Sequence, residues 1–145
     1  MDFGSGRGRV VFYANYLFDC QTKGIEANPI TYDEAINNLH DYLKIKKNAL
    51  ESVNFELIKA EDYLIKNTDN VFYFFNSFSV VVFKKVISKI VNSVKEFPRK
   101  ITLIMYYSFQ DYLDFLNVHT NFKVVKEITD DTSSNLQQNF IIYEY

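Results

Sequence analysis

The chemistry of this chain is concentrated where its glycines are. Of four glycines in 145 residues, three fall within five positions, Gly4-Ser5-Gly6-Arg7-Gly8. Asp2 precedes the run, and an apolar stretch, Val10-Val11-Phe12-Tyr13-Ala14, follows it. Glycine tolerates positive φ and lets a ligand approach the main chain with no Cβ in the way. A glycine turn that leads into a helix also offers amides and a positive helix end to an anion. The amides of Gly4, Ser5, Gly6 and Gly8 are therefore candidates for holding a carboxylate. The fourth glycine, Gly24, stands just before Ile25-Glu26, where a second strand would end in an acidic side chain. A carboxylate at that place can accept both hydroxyls of an unphosphorylated ribose. Glu26 lies 18 residues after Gly8, close to the roughly 20-residue spacing of dinucleotide sites. Ala27 and Asn28 follow it and could flank an adenine. The pattern predicts a nucleoside-like cofactor at the head of an open α/β sheet. The competing readings are a glycine-rich turn without a ligand and a surface glutamate.

Spacing separates the known glycine loops. The dinucleotide fingerprint needs a third small residue for close helix–strand packing. Here that position is Arg9. The phosphate loop needs Gly-Lys-Ser/Thr, which does not follow. Asp2-x-Gly4-x-Gly6-x-Gly8 instead resembles motif I of the Rossmann-like (class I) S-adenosylmethionine-dependent methyltransferases. The resemblance implies that S-adenosyl-L-methionine is the cofactor, that the loop lies against its methionine part, and that the chain is an enzyme. It also implies roles further along. Asp62, after the third strand, would hydrogen-bond the adenine amino group; its other reading is the N-cap of a short helix at 62–66. Asn76-Ser77-Phe78-Ser79, after the fourth strand, resembles the Asn-Pro-Phe form of motif IV. It is also similar to the Asn/Asp-Pro-Pro-aromatic motif of enzymes that methylate planar nitrogens, with Ser77 in the proline position and one residue fewer. Asn76 would then stand beside the transferred methyl, touching cofactor and acceptor, and Phe78 would stack on the acceptor. As a purely structural feature Asn76 would be a cap, in competition with Ser79.

The elements that must position these residues follow from periodicity. Residues 9–20 read as a helix, with Val10, Tyr13, Ala14, Leu17 and Phe18 at helical spacing and Cys20 as a buried small hydrophobe. Residues 23–27 form a short strand. Pro29 and the pair Thr31…Glu34 open a second helix as a capping box. Residues 53–58 form a strand, and 61–65 a turn. The run Val71-Phe72-Tyr73-Phe74-Phe75 has the mark of a central strand covered on both faces. Phe83, Val86, Ile87, Ile90, Val91 and Val94 give the clearest helix, stopped by Pro98. A buried strand at 101–106 and a helix at 111–116 follow. Strands at 122–128 and 140–145, joined by a polar loop at 130–138, form an antiparallel pair. Alternating strands and helices imply a parallel sheet with right-handed crossovers. The closing hairpin separates class I methyltransferases from dinucleotide Rossmann domains. The expectation is one domain, 1–145, of three-layer α/β Rossmann-like methyltransferase type. Its sheet is mostly parallel with a C-terminal antiparallel hairpin, and its first strand is largely missing.

Composition narrows the partners. With 48% hydrophobic residues the chain is not disordered. A net charge of −2 provides no global field for nucleic acid. The basic series Lys84, Lys85, Lys89, Lys95, Arg99, Lys100 reads as a solvated face, with an RNA-contacting face as the other reading. His40 and His119 stand apart without ligand spacing, so no metal is expected. No run has transmembrane length, and one cysteine points to a reducing cytoplasm. Only three residues precede the glycine loop, so the chain reads as a core cut at motif I. Unpaired sheet edges would then favour self-association. The alternatives to a methyltransferase acting on an unidentified acceptor are a non-catalytic cofactor-binding relic and a nucleotide- or NAD-binding Rossmann-like domain.

Overall fold

A computed structural model describes residues 1–129 and 139–145 of the chain. The polar loop expected at 130–138 lies outside the described residues. The chain divides into two compact units, Met1–Tyr63 and Leu64–Tyr145.

The first unit holds β1 (Asp2–Phe3), α1 (Arg9–Phe18), β2 (Thr22–Glu26), α2 (Pro29–Ile45), a 3-10 turn (Lys47–Glu51) and β3 (Val53–Leu57). Its strands run parallel in the order β3-β2-β1. β1 is only two residues long, with Asp2 opposite Gly24 and Phe3 opposite Ile25. Successive side chains alternate between faces, as strand geometry requires. On one face Val53 and Phe55 form a core with Val11, Ala35 and Ala49, joined by Phe12, Tyr32 and Leu39. On the other, Lys23 meets Glu56 at 2.7 Å and the Tyr63 hydroxyl at 3.0 Å, and Phe3 meets the Tyr63 ring edge-on. Burial works against the Lys23 charge, but its hydrogen bonds to Glu56 and Tyr63 prevail and raise its pKa.

Three expectations about this unit are corrected. α1 does not bury Tyr13, Leu17 and Phe18, which are exposed; its inward residues are Val11 and Asn15. Asn15 is fully buried because its polar atoms are satisfied: its amide donates to the Cys20 carbonyl and the Ser52 hydroxyl, and its carbonyl accepts from the Tyr42 hydroxyl. Cys20 is exposed and lies beyond the helix, after the left-handed residue Asp19. Finally, α2 is not opened by a capping box. Asn28 is the N-cap, its Oδ1 accepting from the amides of Ile30 and Thr31, while Glu34 pairs with Arg7.

The second unit holds β4 (Val71–Phe75), α3 (Val80–Glu96), β5 (Thr102–Tyr106), α4 (Gln110–His119), β6 (Lys123–Ile128) and β7 (Phe140–Glu144). Its strand order is β4-β5-β7-β6, with β4 parallel to β5 and β7 antiparallel to both neighbours. The strands therefore make a mixed α/β fold, mostly parallel, with an antiparallel pair at the C-terminus. Ser79 caps α3 through the Val82 amide, as its sequence position suggested. Phe83, Val86, Ile87 and Ile90 of α3 are buried, and the Phe83 ring meets Phe74 edge-on at 5.3 Å and stacks on Tyr112 of α4 at 3.9 Å. The Tyr112 hydroxyl donates to the Phe78 carbonyl. β4 departs from expectation. Phe72 and Phe74 are buried, but Val71 and Phe75 are 40% and 50% exposed, so this apolar strand is not covered on both faces.

Candidate cofactor-binding site

The glycine loop leaves β1 as a chain of left-handed turns. Gly4, Gly6 and Gly8 have φ of 76°, 53° and 85°. Each angle costs an L-residue roughly 1–2 kcal/mol, and glycine nothing. Gly8 also has no room for a side chain: a Cβ there would lie 2.5 Å from the Phe55 ring and 2.7 Å from that of Phe12. Gly24 plays the same part on β2, where a Cβ would meet Phe55 and the Ser5 hydroxyl, both at 2.5 Å. The loop thus settles onto β2 through glycine on both sides. At Gly6 a Cβ would meet only Thr31, at 4.0 Å, so the loop is open on that face.

Glu26 ties the site together. Its Oε2 accepts from the Gly6 amide at 2.8 Å, and its Oε1 from the amides of Ala27 and Asn28 at 2.9 and 2.8 Å. Each carboxylate oxygen offers two lone pairs, so Oε2 keeps one acceptor position. The β3 exit reaches the same end of the sheet, with the Ile58 amide donating to the Glu26 carbonyl at 2.9 Å. Asp62 follows in a turn in which its amide donates to the Lys59 carbonyl; the side chain is exposed, and no helix starts there.

Asp2, Gly4, Ser5, Gly6, Gly8, Glu26, Ala27 and Asn28 are therefore one neighbourhood. Their expected division of labour is not what the hydrogen bonds show. The Gly4 and Ser5 amides both donate to the Ile25 carbonyl, the Gly8 amide to the Ser5 carbonyl, and the Gly6 amide to Glu26. The first two and the last hold the loop to β2, the Gly8 amide closes the loop on itself, and none of the four is free for a ligand carboxylate. The Asn28 side chain serves α2 as its cap. The Ser5 hydroxyl, by contrast, is buried with no hydrogen-bond partner. Asp2 is buried as well; burial raises its carboxyl from 3.8 to about 7, opposed by the chain's α-amino group and reinforced by Glu26.

Asn76 and Phe78 belong to the second unit. Asn76 follows β4 in a left-handed conformation, φ 45°, and its Oδ1 is buried without a partner. It caps no helix, since Ser79 does that. The Phe78 ring meets Phe74 edge-on at 6.1 Å, and its carbonyl accepts from Tyr112, so Phe78 is a packing residue in this arrangement. Sequence reading overlooked Tyr107, which follows β5 with φ 51°. A bulky residue at positive φ costs about 1–3 kcal/mol, and no pattern in the sequence announces it.

No protein-family model matches the chain, and no curated protein matches it by sequence. Its fold does match solved structures. An RNA methyltransferase from Salinibacter ruber in complex with S-adenosyl-L-homocysteine aligns with 99% of this chain and 76% of its own, at 16% identity and a TM-score of 0.61. A putative rRNA methylase from Clostridium thermocellum aligns over 99% and 84%, at 16% identity and 0.67. A SAM-dependent methyltransferase from Leishmania major aligns over 99% and 62%, at 18% identity and 0.64. The chain has the Rossmann-like fold of S-adenosylmethionine-dependent methyltransferases.

Proposed function

We propose that the chain is an S-adenosylmethionine-dependent methyltransferase domain, 1–145, acting in the cytoplasm on an acceptor still to be identified. One observation carries the reading: a glutamate at the end of β2, its carboxylate oriented by three amides, beside a loop of three positive-φ glycines. The residues fit the adenosyl group. Oε2 of Glu26 has an acceptor position for a ribose hydroxyl. The open face at Gly6 suits the polar end of the same ligand, and Ser5 belongs to the loop that lies against it. Ala27, the Asn28 main chain and Asp62 are assigned to the adenine. When bound, S-adenosylmethionine supplies a methyl group already activated on a sulfonium. The chain's own contribution is to position and desolvate. Asn76, with its unpartnered Oδ1, is assigned to the acceptor side.

Calorimetry tests this. S-adenosylhomocysteine is expected to bind more tightly than NAD. Glu26→Gln keeps the shape but loses the charge, and should weaken binding by about 1.5–3 kcal/mol, the range for a hydrogen bond to a charged group. Unchanged affinity in a folded Glu26→Gln variant removes Glu26 from the site. The similar RNA methylases make RNA fragments the first acceptors to assay.

A further inference from the structure

On the face of the first unit's sheet that carries Lys23, three polar side chains meet away from bulk water. The Lys23 ammonium donates to Glu56 Oε1 at 2.7 Å and to the Tyr63 hydroxyl at 3.0 Å. The Lys23 side chain is 15% exposed, and Tyr63 is buried. Stability alone does not call for this arrangement. An ion pair taken out of water loses much of what its attraction gains, and apolar residues of similar size often serve a core as well or better. What the cluster adds is direction. The Tyr63 ring already meets Phe3 edge-on at 6.1 Å. Its bond to Lys23 also fixes where the hydroxyl points, and with it the main chain that carries the ring.

Tyr63 closes the short turn that follows β3. At its entry the Ile58 amide donates to the Glu26 carbonyl at 2.9 Å, and within it the Asp62 and Tyr63 amides both reach the Lys59 carbonyl, at 3.0 and 3.3 Å. At its exit the Tyr63 hydroxyl is held by Lys23. Glu26 and Lys23 both belong to β2. One strand therefore holds both ends of the turn, one through its main chain and the other through a side chain. Asp62 stands between these ties with its side chain exposed. The reach from the Glu26 carboxylate to Asp62, which is the reach from ribose to adenine in the proposed site, is thereby set by β2. A loop with few such ties opens easily, and a ligand that uses it must order it first.

We propose that Lys23, Glu56 and Tyr63 are positioning residues for the adenine end of the cofactor site: they tether the turn that carries Asp62 to β2, and so sharpen the preference for a purine that bears an amino group. This role rests on the methyltransferase reading and deepens it, since none of the three side chains touches the ligand. Glu56 orients the Lys23 ammonium, Lys23 orients Tyr63, and Tyr63 places its chain neighbour Asp62.

The test compares S-adenosylhomocysteine with S-inosylhomocysteine, which has a carbonyl in place of the adenine amino group, by calorimetry. The native chain should prefer the adenosyl compound about 10-fold or more, as one hydrogen bond to a carboxylate allows. Tyr63→Phe keeps the ring on Phe3 and loses only the hydroxyl. It should lower that preference about 3- to 10-fold, the span of one ordinary hydrogen bond, by weakening the adenosyl compound alone. Lys23→Met, Glu56→Leu and Tyr63→Phe combined make the cluster apolar and leave no polar group without a partner. This variant should melt no earlier than the native chain and still show the same loss of preference, which a merely structural cluster would not produce. Asp62→Ala should abolish the preference, and Tyr63→Phe added to it should change neither affinity further, because Tyr63 acts through Asp62. The tether is wrong if either cluster variant keeps the native preference, if both ligands weaken equally, or if the Tyr63→Phe effect adds in full to that of Asp62→Ala. If the native chain binds both compounds alike, the cofactor reading stands and the tether falls. If it binds neither, the cofactor reading itself fails and the tether with it.

Discussion

Asp2 shows how one buried side chain couples the glycine loop to pH. Its carboxyl is 6% exposed, and burial raises its pKa from 3.8 to about 7. A folded-state value above the unfolded one means that the folded chain holds the proton more tightly. Asp2 therefore stabilises the fold fully below about pH 4, and that contribution is lost as pH rises towards 7. The expected outcome is that Asp2→Asn, which keeps a neutral group at all pH, removes this component. Native and variant chains should be close in stability at pH 4, and the variant should be ahead by a few kcal/mol at pH 8, at about 1.4 kcal/mol per pH unit of displacement. Urea unfolding midpoints across that range give the answer. A constant difference between the two proteins would mean that Asp2 ionises freely in the folded state. The sequence marked Asp2, the glycines and Glu26 as a group, because residue type and spacing are local properties. It could not show that Glu26 takes up the Gly6 amide, because that bond joins residues 20 apart.

At the scale of elements, most strands and helices were legible, since their signal is periodicity. The errors fall where a long-range partner decides. α1 was given an apolar face through Tyr13 and Leu17, yet the helix turns Asn15 inward, because Tyr42, Ser52 and the Cys20 carbonyl satisfy it there. Nothing local marks an asparagine as a core residue. β4 read as doubly covered because it is apolar throughout, but apolarity does not tell which face receives a neighbour, and Phe75 remains half exposed. The pair Thr31…Glu34 at the start of α2 reads as a capping box, yet Asn28 takes the cap, because Pro29 after it fits the first helical position and because Glu34 is drawn to Arg7 at 2.7 Å. The consequence is measurable. Asn28→Ala should cost about 1 kcal/mol, within the usual range for a lost cap, and Thr31→Ala should cost much less. The reverse order in chemical denaturation would restore the capping box.

At the scale of the whole molecule, surface and charge act together. α1 presents Tyr13, Tyr16, Leu17 and Phe18 at 65%, 60%, 51% and 72% exposure. Tyr13, Tyr16 and Leu17 follow one another at spacings of three and one, so they share a face of the helix. Contiguous exposed apolar surface drives association. The opposing term, electrostatic repulsion between copies, is small for a net charge of −2 and vanishes near the isoelectric point of 5.7. The chain is therefore expected to self-associate reversibly, more strongly at pH 6 than at pH 8. Sedimentation equilibrium over a wide range of concentration would record it as a rising average mass. Tyr13→Glu combined with Leu17→Glu should hold the chain monomeric. Asn37→Glu combined with Asn48→Glu, which adds the same charge at exposed polar positions, separates the two causes. If that control suppresses association equally, charge alone is responsible and the α1 face has no part in it. If the native chain keeps a constant monomer mass at both pH values, its exposed aromatics are tolerated singly, as ordinary surface.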